Sequence, residues 1–156
     1  MAAAGKWKLY EAAKLAIANG EIDFNGHSFK IALFLSTSNC DTLSGTTGIS
    51  NLTNQVATNY GYDQNTKAVT IATSQVGGTT TVDETSNPVW TISGGSVSAR
   101  FAVIYDDTHA SKQAVCVCLL DTTPADITVD GTTTDNTLTI TMSTSGLFTF
   151  SGADSN

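Results

Sequence analysis

Two periods of apolar residues divide the chain near Gly20. From Lys6 to Ala18, the residues Leu9, Ala12, Ala13, Ala16 and Ile17 recur at helical spacing with Lys8, Glu11 and Lys14 off the stripe, which predicts one amphipathic helix over residues 6–19. Asn19-Gly20 supplies its stop, because glycine tolerates the left-handed conformation at a helix end. Trp7 and Leu15 fall outside the main stripe and need cover, from the sheet or from a second protein. Beyond Gly20 the period becomes extended. Strands are expected at Phe29 to Ser36, Ala68 to Val76, Thr79 to Asp83, Val89 to Ser93, Ser96 to Tyr105, Ala114 to Asp121, Ile127 to Asp130, Thr137 to Met142 and Leu147 to Phe150. Gly77-Gly78 and Gly94-Gly95 read as tight turns. LTITMS and LFTF alternate, giving each one wet and one dry face, whereas RFAVIYDD is apolar nearly throughout and reads as an interior strand covered on both sides. Between Cys40 and Tyr62 neither period dominates, and LTNQVATNYGY reads as a short helical turn or an ordered surface loop carrying Tyr60 and Tyr62.

Short strands punctuated by Gly, Asn and Asp, with no βαβ alternation, predict a mainly β fold: an antiparallel, jelly-roll-like β-sandwich with one N-terminal helix. The 156 residues form one domain, with the sandwich over 21–150 and a loose polar tail, SGADSN, over 151–156.

Composition narrows the partners. Charged residues are only 13% of a threonine-rich chain, a mixture suited to half-buried pleated surfaces. A formal charge of -7, with seven Lys plus Arg, argues against direct binding of nucleic acid, which needs clustered cations. No run of about 18 apolar residues is present, so no membrane span is expected. Glu11 and Lys14 interrupt any signal-peptide core in MAAAGKWKLYEAAKLAIANG, so the protein is expected to stay in the compartment where it is made until a cell or particle opens. Three Cys in a chain this long are not a disulfide framework, and reduced thiols fit a cytoplasmic origin.

The cluster Ser36, Thr37, Ser38, Asn39 and Cys40 at the end of KIALFL invites the test for a nucleophile. No G-x-S-x-G or S-x-x-K signature surrounds it, and only His27 and His109 could act as the usual base. The plainer reading is a strand end whose Ser and Asn side chains cap freed backbone groups. Cys116 and Cys118 sit two apart, which on a strand puts both on one side at roughly 6.5 to 7 Å, too far for an easy disulfide. Without C-x-x-C or H-x-x-x-H partners they read as buried small hydrophobes. Asp106-Asp107, Asp121, Asp126, Asp130 and Asp135 crowd the predicted turns, but DGTTTDN lacks the carboxylate spacing of a calcium loop. Arg100, the only arginine, either pairs with Asp106-Asp107 or stands in solvent. Trp90, Tyr60, Tyr62 and Tyr105 are the aromatic candidates for stacking on a sugar, with Trp90 read first as core. Asn51-Leu52-Thr53 matches a glycosylation sequon, which means little without a secretory signal. No catalytic, cofactor or metal site is expected, and the chain does not read as an enzyme.

The ordered series KWKLYEAAKLAIANGEID, FKIALFLSTSN, LTNQVATNYGY, VWTISGGSVSARFAVIYDDT, CLLDTTPADITV and TLTITMSTSGLFTFS resembles small virion proteins of tailed bacteriophages, most closely capsid decoration (cement) proteins with a jelly-roll-like sandwich. The resemblance spans nearly the whole chain and brings no active-site residues with it. It implies a protein made in the bacterial cytoplasm that binds the outer surface of a capsid across joints between major capsid protein subunits, as a homo-oligomer, dimer or trimer. Trp7, Leu15, Tyr60 and Tyr62 are the expected docking residues, since aromatic anchors dominate interface energies. A tail or head-to-tail connector protein of the same virion and a carbohydrate-binding β-sandwich are the competing readings.

Overall fold

The segment FAVIYD, Phe101–Asp106, forms a strand (β8) that is buried at every position, as its unbroken apolar run predicts. The computed structural model describes residues 5–121 and 125–152. They form a mainly β, sandwich-like fold of several antiparallel sheets with one helix.

β8 lies at the centre of a five-stranded sheet. On one side it pairs with β2 (Phe29–Phe34), in register from Phe29 opposite Asp106 to Phe34 opposite Phe101. On the other side it pairs with β9 (Ala114–Leu119), with a register shift between Ile104 and Tyr105. β1 (Lys8–Leu9) edges β9, and β3 (Ala68–Val69) edges β2. The three central strands carry Ile31, Leu33, Phe34, Val103, Ile104, Val115 and Cys116 into the core. Full burial of each large aliphatic or aromatic side chain is worth about 1.5–3 kcal/mol.

A long bent ribbon adds the second layer. β6 (Val89–Ile92) pairs with β11 (Asn136–Thr139), and β7 (Ser96–Ala99) pairs with β10 (Ile127–Asp130). The bend falls at Gly94 and Gly95 facing Gly131: Gly94 N–H donates to the Gly131 carbonyl at 2.9 Å, and Gly131 N–H to that of Gly95 at 2.9 Å. Alternation sends Trp90, Ile92, Val97, Ala99 and Leu138 inward. A three-stranded sheet, in the order β12 (Phe148–Ser151), β5 (Thr79–Glu84), β4 (Ile71–Val76), completes the strands. Its β4–β5 hairpin turns through Gly77 and Gly78 at φ 57° and 81°, the left-handed pair that a two-residue type I′ turn requires.

Three expectations are corrected. The helix (α1) spans Glu11–Ala18, not 6–19, because Lys8 and Leu9 pair with Val117 and Cys116 on β9 and Tyr10 N–H donates to the Val115 carbonyl. The strand predicted from Ala68 to Val76 breaks at Thr70, where the chain leaves the five-stranded sheet for the three-stranded one. That from Ser96 to Tyr105 breaks at Arg100 for the same reason: its N–H donates to Phe34 and its carbonyl accepts from Leu120. At the helix C-terminus Gly20 takes φ 73°, the expected stop.

The undecided stretch after Cys40 contains one short 3-10 turn, Ile49–Asn51, and otherwise runs as an ordered loop. It covers the edge of β2 where β3 ends: Val56 N–H donates to the Leu33 carbonyl at 2.9 Å, and Leu35 N–H to that of Asn54 at 3.0 Å. An otherwise open strand edge is thereby closed. Of the expected tail, Ser151 is the last residue of β12, opposite Thr79, Gly152 follows it, and the remainder lies outside the described residues.

Candidate functional site

The hydroxyl, amide and thiol cluster after β2 is a set of caps. Ser36 N–H donates to Asp126 Oδ1 at 2.7 Å, and Asn39 Oδ1 accepts the Thr53 N–H at 2.9 Å. Cys40 is fully buried, with its Sγ 2.9 Å from the Ser38 hydroxyl and its carbonyl accepting the Tyr10 hydroxyl at 2.9 Å. Burial pushes the Cys40 thiol up to about 12, which leaves almost no thiolate at neutral pH. Cys116 and Cys118 are buried on β9, with burial raising both thiols, that of Cys118 to about 11.

The two histidines lie elsewhere. His27 Nδ1 contacts Asp106 Oδ2 at 2.5 Å, and Asp106 Oδ1 accepts the N–H groups of Thr108 and His109. This carboxylate–imidazole pair has the look of a catalytic dyad, but among the described residues no hydroxyl or thiol hydrogen-bonds the far ring nitrogen of His27. Asp107 is held by Lys30 at 2.8 Å and Lys112 at 3.1 Å, and the Lys30 hydrogen bond is the main reason its carboxyl stays below the ordinary range. The ion pair offered for Arg100 does not form. Arg100 sits at the opposite end of β8 from Asp106, and its guanidinium donates to the Ala125 carbonyl at 2.8 Å. Among the described residues no group of three or more His, Cys, Asp or Glu side chains could hold a metal ion.

The four expected docking residues do not converge. Leu15 is 64% exposed on the outer side of α1, whose Ala13 and Ala16 face inward. Tyr60 is 41% exposed at φ 49°, with its ring lying over Gly95 at the bend of the ribbon. Tyr62 is a correction: it is buried, its hydroxyl accepting the Leu33 N–H at 3.0 Å and its ring tilted against Trp90 at 5.6 Å, so it presents nothing to a partner. Tyr105 and Trp90 are buried too, which leaves Tyr60 as the exposed member of the four aromatics proposed for sugar stacking.

Trp7 is half-buried and lines a groove of about 1090 Å³ between the N-terminal segment 5–7, β10, β11 and β12. Its walls include Ile127, Val129, Ile140, Leu147 and Phe148, interspersed with threonine hydroxyls. Sequence reasoning picked out Trp7 but missed these walls, because strands far apart in the chain meet only after folding. A second exposed feature was also missed. At the far end of the three-stranded sheet, consecutive residues Thr73 to Val76 are exposed on both faces, with Val76 at 81% and Phe150 on β12 at 38%. The strand alternation of LFTF signals one wet face but not that a neighbouring layer would be lacking.

No protein-family model, curated protein or solved structure matches the chain. Among the described residues no helix is long and apolar enough to cross a membrane.

Proposed function

We propose that the chain is a structural virion component of a tailed bacteriophage, a capsid decoration or cement protein that binds the outer capsid surface through protein–protein contacts. The observation that supports this reading is the apolar groove at Trp7 on a molecule whose three thiols are buried. The ordered segments quoted above supply the resemblance to this class of proteins. A cement module must be stiff and offer complementary surface to its neighbours. The doubly covered β2–β8–β9 core supplies stiffness, and the groove and the projecting β4–β5 hairpin supply surface.

In this reading the major capsid protein inserts an apolar segment into the groove, where Trp7 acts as an anchor at one end. The chain performs no chemistry. Its work is done by burying surface across subunit joints of the shell.

The test uses purified heads stripped of this protein and then supplied with it. Wild-type chain should co-sediment with the heads and raise the temperature at which they release DNA. Trp7→Ala, folded by circular dichroism, should lose occupancy by about tenfold or more, as expected for an anchor worth roughly 1.4 kcal/mol or above. Unchanged occupancy of Trp7→Ala contradicts the assignment of the groove, and failure of the wild type to bind heads contradicts the capsid reading.

A further inference from the structure

The chain has seven lysines and arginines against fourteen acidic residues, so where each cation goes is informative. Lys30 and Lys112 are held by Asp107, Lys67 lies 5.4 Å from the Trp90 ring centroid, and Lys14 stands exposed on α1. The remaining three, Lys6, Lys8 and Arg100, line one pocket of about 470 Å³, within the usual range of about 300–1,000 Å³ for binding pockets. None of the three has an acidic partner within salt-bridge distance among the described residues. The pocket floor is apolar, made by Phe101, Val117 and Leu119 of the five-stranded sheet, and Asp41 is the single carboxylate among the described residues of its wall.

Lysines on or just before an edge strand can serve simply to prevent edge-to-edge pairing, which would account for Lys8 on β1 and Lys6 before it. It does not account for Arg100, which comes from the corner between β7 and β8 and joins them from another part of the chain. Three like charges gathered over an apolar floor repel one another and set up a local positive field in an otherwise acidic molecule. We propose that this pocket binds a carboxylate-bearing acidic segment of a neighbouring polypeptide, its Asp or Glu side chains meeting Lys6, Lys8 and Arg100 and its apolar residues covering the floor. The occupant follows from charge complementarity: the apolar floor favours a peptide over a bare anion, and the cations select an acidic one. Lys8 lines the pocket and Trp7, just before it in the chain, lines the groove, with Gly5 and Lys6 bordering both, so one N-terminal segment serves two adjoining contacts. The inference rests on the reading of the chain as an interaction module, and extends it to a second partner segment.

The experiment measures fluorescence anisotropy of a labelled peptide of alternating Asp and Leu on the purified protein at low salt. Binding should be saturable, weaken with added salt, and be absent for the matching Asn-Leu peptide. Lys8→Glu should reduce affinity by about tenfold or more, whereas Lys14→Glu, the same charge change on α1, should leave it within about twofold. No saturable binding of the acidic peptide, equal loss in the two variants, or tighter binding of inorganic polyphosphate than of the peptide each overturns the proposal. Because no capsid takes part, these failures leave the virion reading standing, and loss of head binding leaves the pocket standing.

Discussion

His27 and Asp106 tie the loop that follows α1 to the end of the central strand: the imidazole Nδ1 lies 2.5 Å from a carboxylate oxygen that is fully buried. The other oxygen accepts the N–H groups of Thr108 and His109, so one side chain organises the turn after β8 and fixes the approach to β2. Asp106→Ala strands two backbone donors and the imidazole at once. It should cost about 2 to 3 kcal/mol in urea unfolding, while His27→Ala, at a half-exposed site, should cost about 1 kcal/mol.

Glu84 is 4% exposed, with one carboxylate oxygen bound by the Ser86 hydroxyl at 2.9 Å and the other buried without a hydrogen-bond partner among the described residues. Burial raises its carboxyl above the ordinary range, so the folded state holds the proton more tightly than the unfolded chain. Its contribution to stability is therefore present below the unfolded value, near 4.3, and is lost as pH rises through the folded one. Glu84→Gln should raise the neutral-pH melting temperature, and its advantage over wild type should shrink as pH is lowered towards 4. An advantage independent of pH would contradict this.

Asp107 behaves in the opposite sense. Its carboxyl is held down chiefly by Lys30, so its contribution is present above the unfolded value, near 3.9, and is lost as pH falls through the folded one. Asp107→Asn should lower stability at pH 7 by less than about 1 kcal/mol, the range of a partly exposed ion pair, and the difference should vanish in acid.

How much of this was legible beforehand depends on whether the deciding contact was local. The interior strand at Phe101–Asp106 and the Gly77-Gly78 hairpin were readable because an unbroken apolar run and a left-handed turn pair specify themselves. The segment Lys6-Trp7-Lys8-Leu9-Tyr10 carries both a helical and an alternating pattern, and pairing with β9, more than a hundred residues away, decides between them. Tyr62 read as a loop aromatic because Asn59-Tyr60-Gly61-Tyr62 has turn chemistry. Its burial follows from the Leu33 N–H at the edge of β2, which no local pattern announces. The groove and the cationic pocket are likewise joint products of strands distant in sequence.

Two glycines beside Tyr60 should respond differently to a methyl group. A Cβ on Gly61, at φ 91°, would lie 2.0 Å from the Thr91 carbonyl oxygen, which the ribbon holds in place. For one on Gly95 the nearest atoms belong to the ring of Tyr60, a side chain able to swing away. Gly61→Ala should destabilise by about 3 kcal/mol or more and Gly95→Ala by about 1 kcal/mol, measured by urea unfolding.

The buried thiols give a test of rigidity. In the native protein at pH 8, Cys40, Cys116 and Cys118 should resist a thiol reagent for hours, and all three should react within minutes in denaturant. Rapid native modification of Cys40 would reopen the case for a nucleophile at the end of β2.

The central claim is about place and number, so an image of the particle tests it most directly. Gold-labelled antibody against this chain, viewed on intact virions, should decorate the whole head in many copies. Label confined to a ring at one vertex or to the tail, or no label on the particle, would contradict the account.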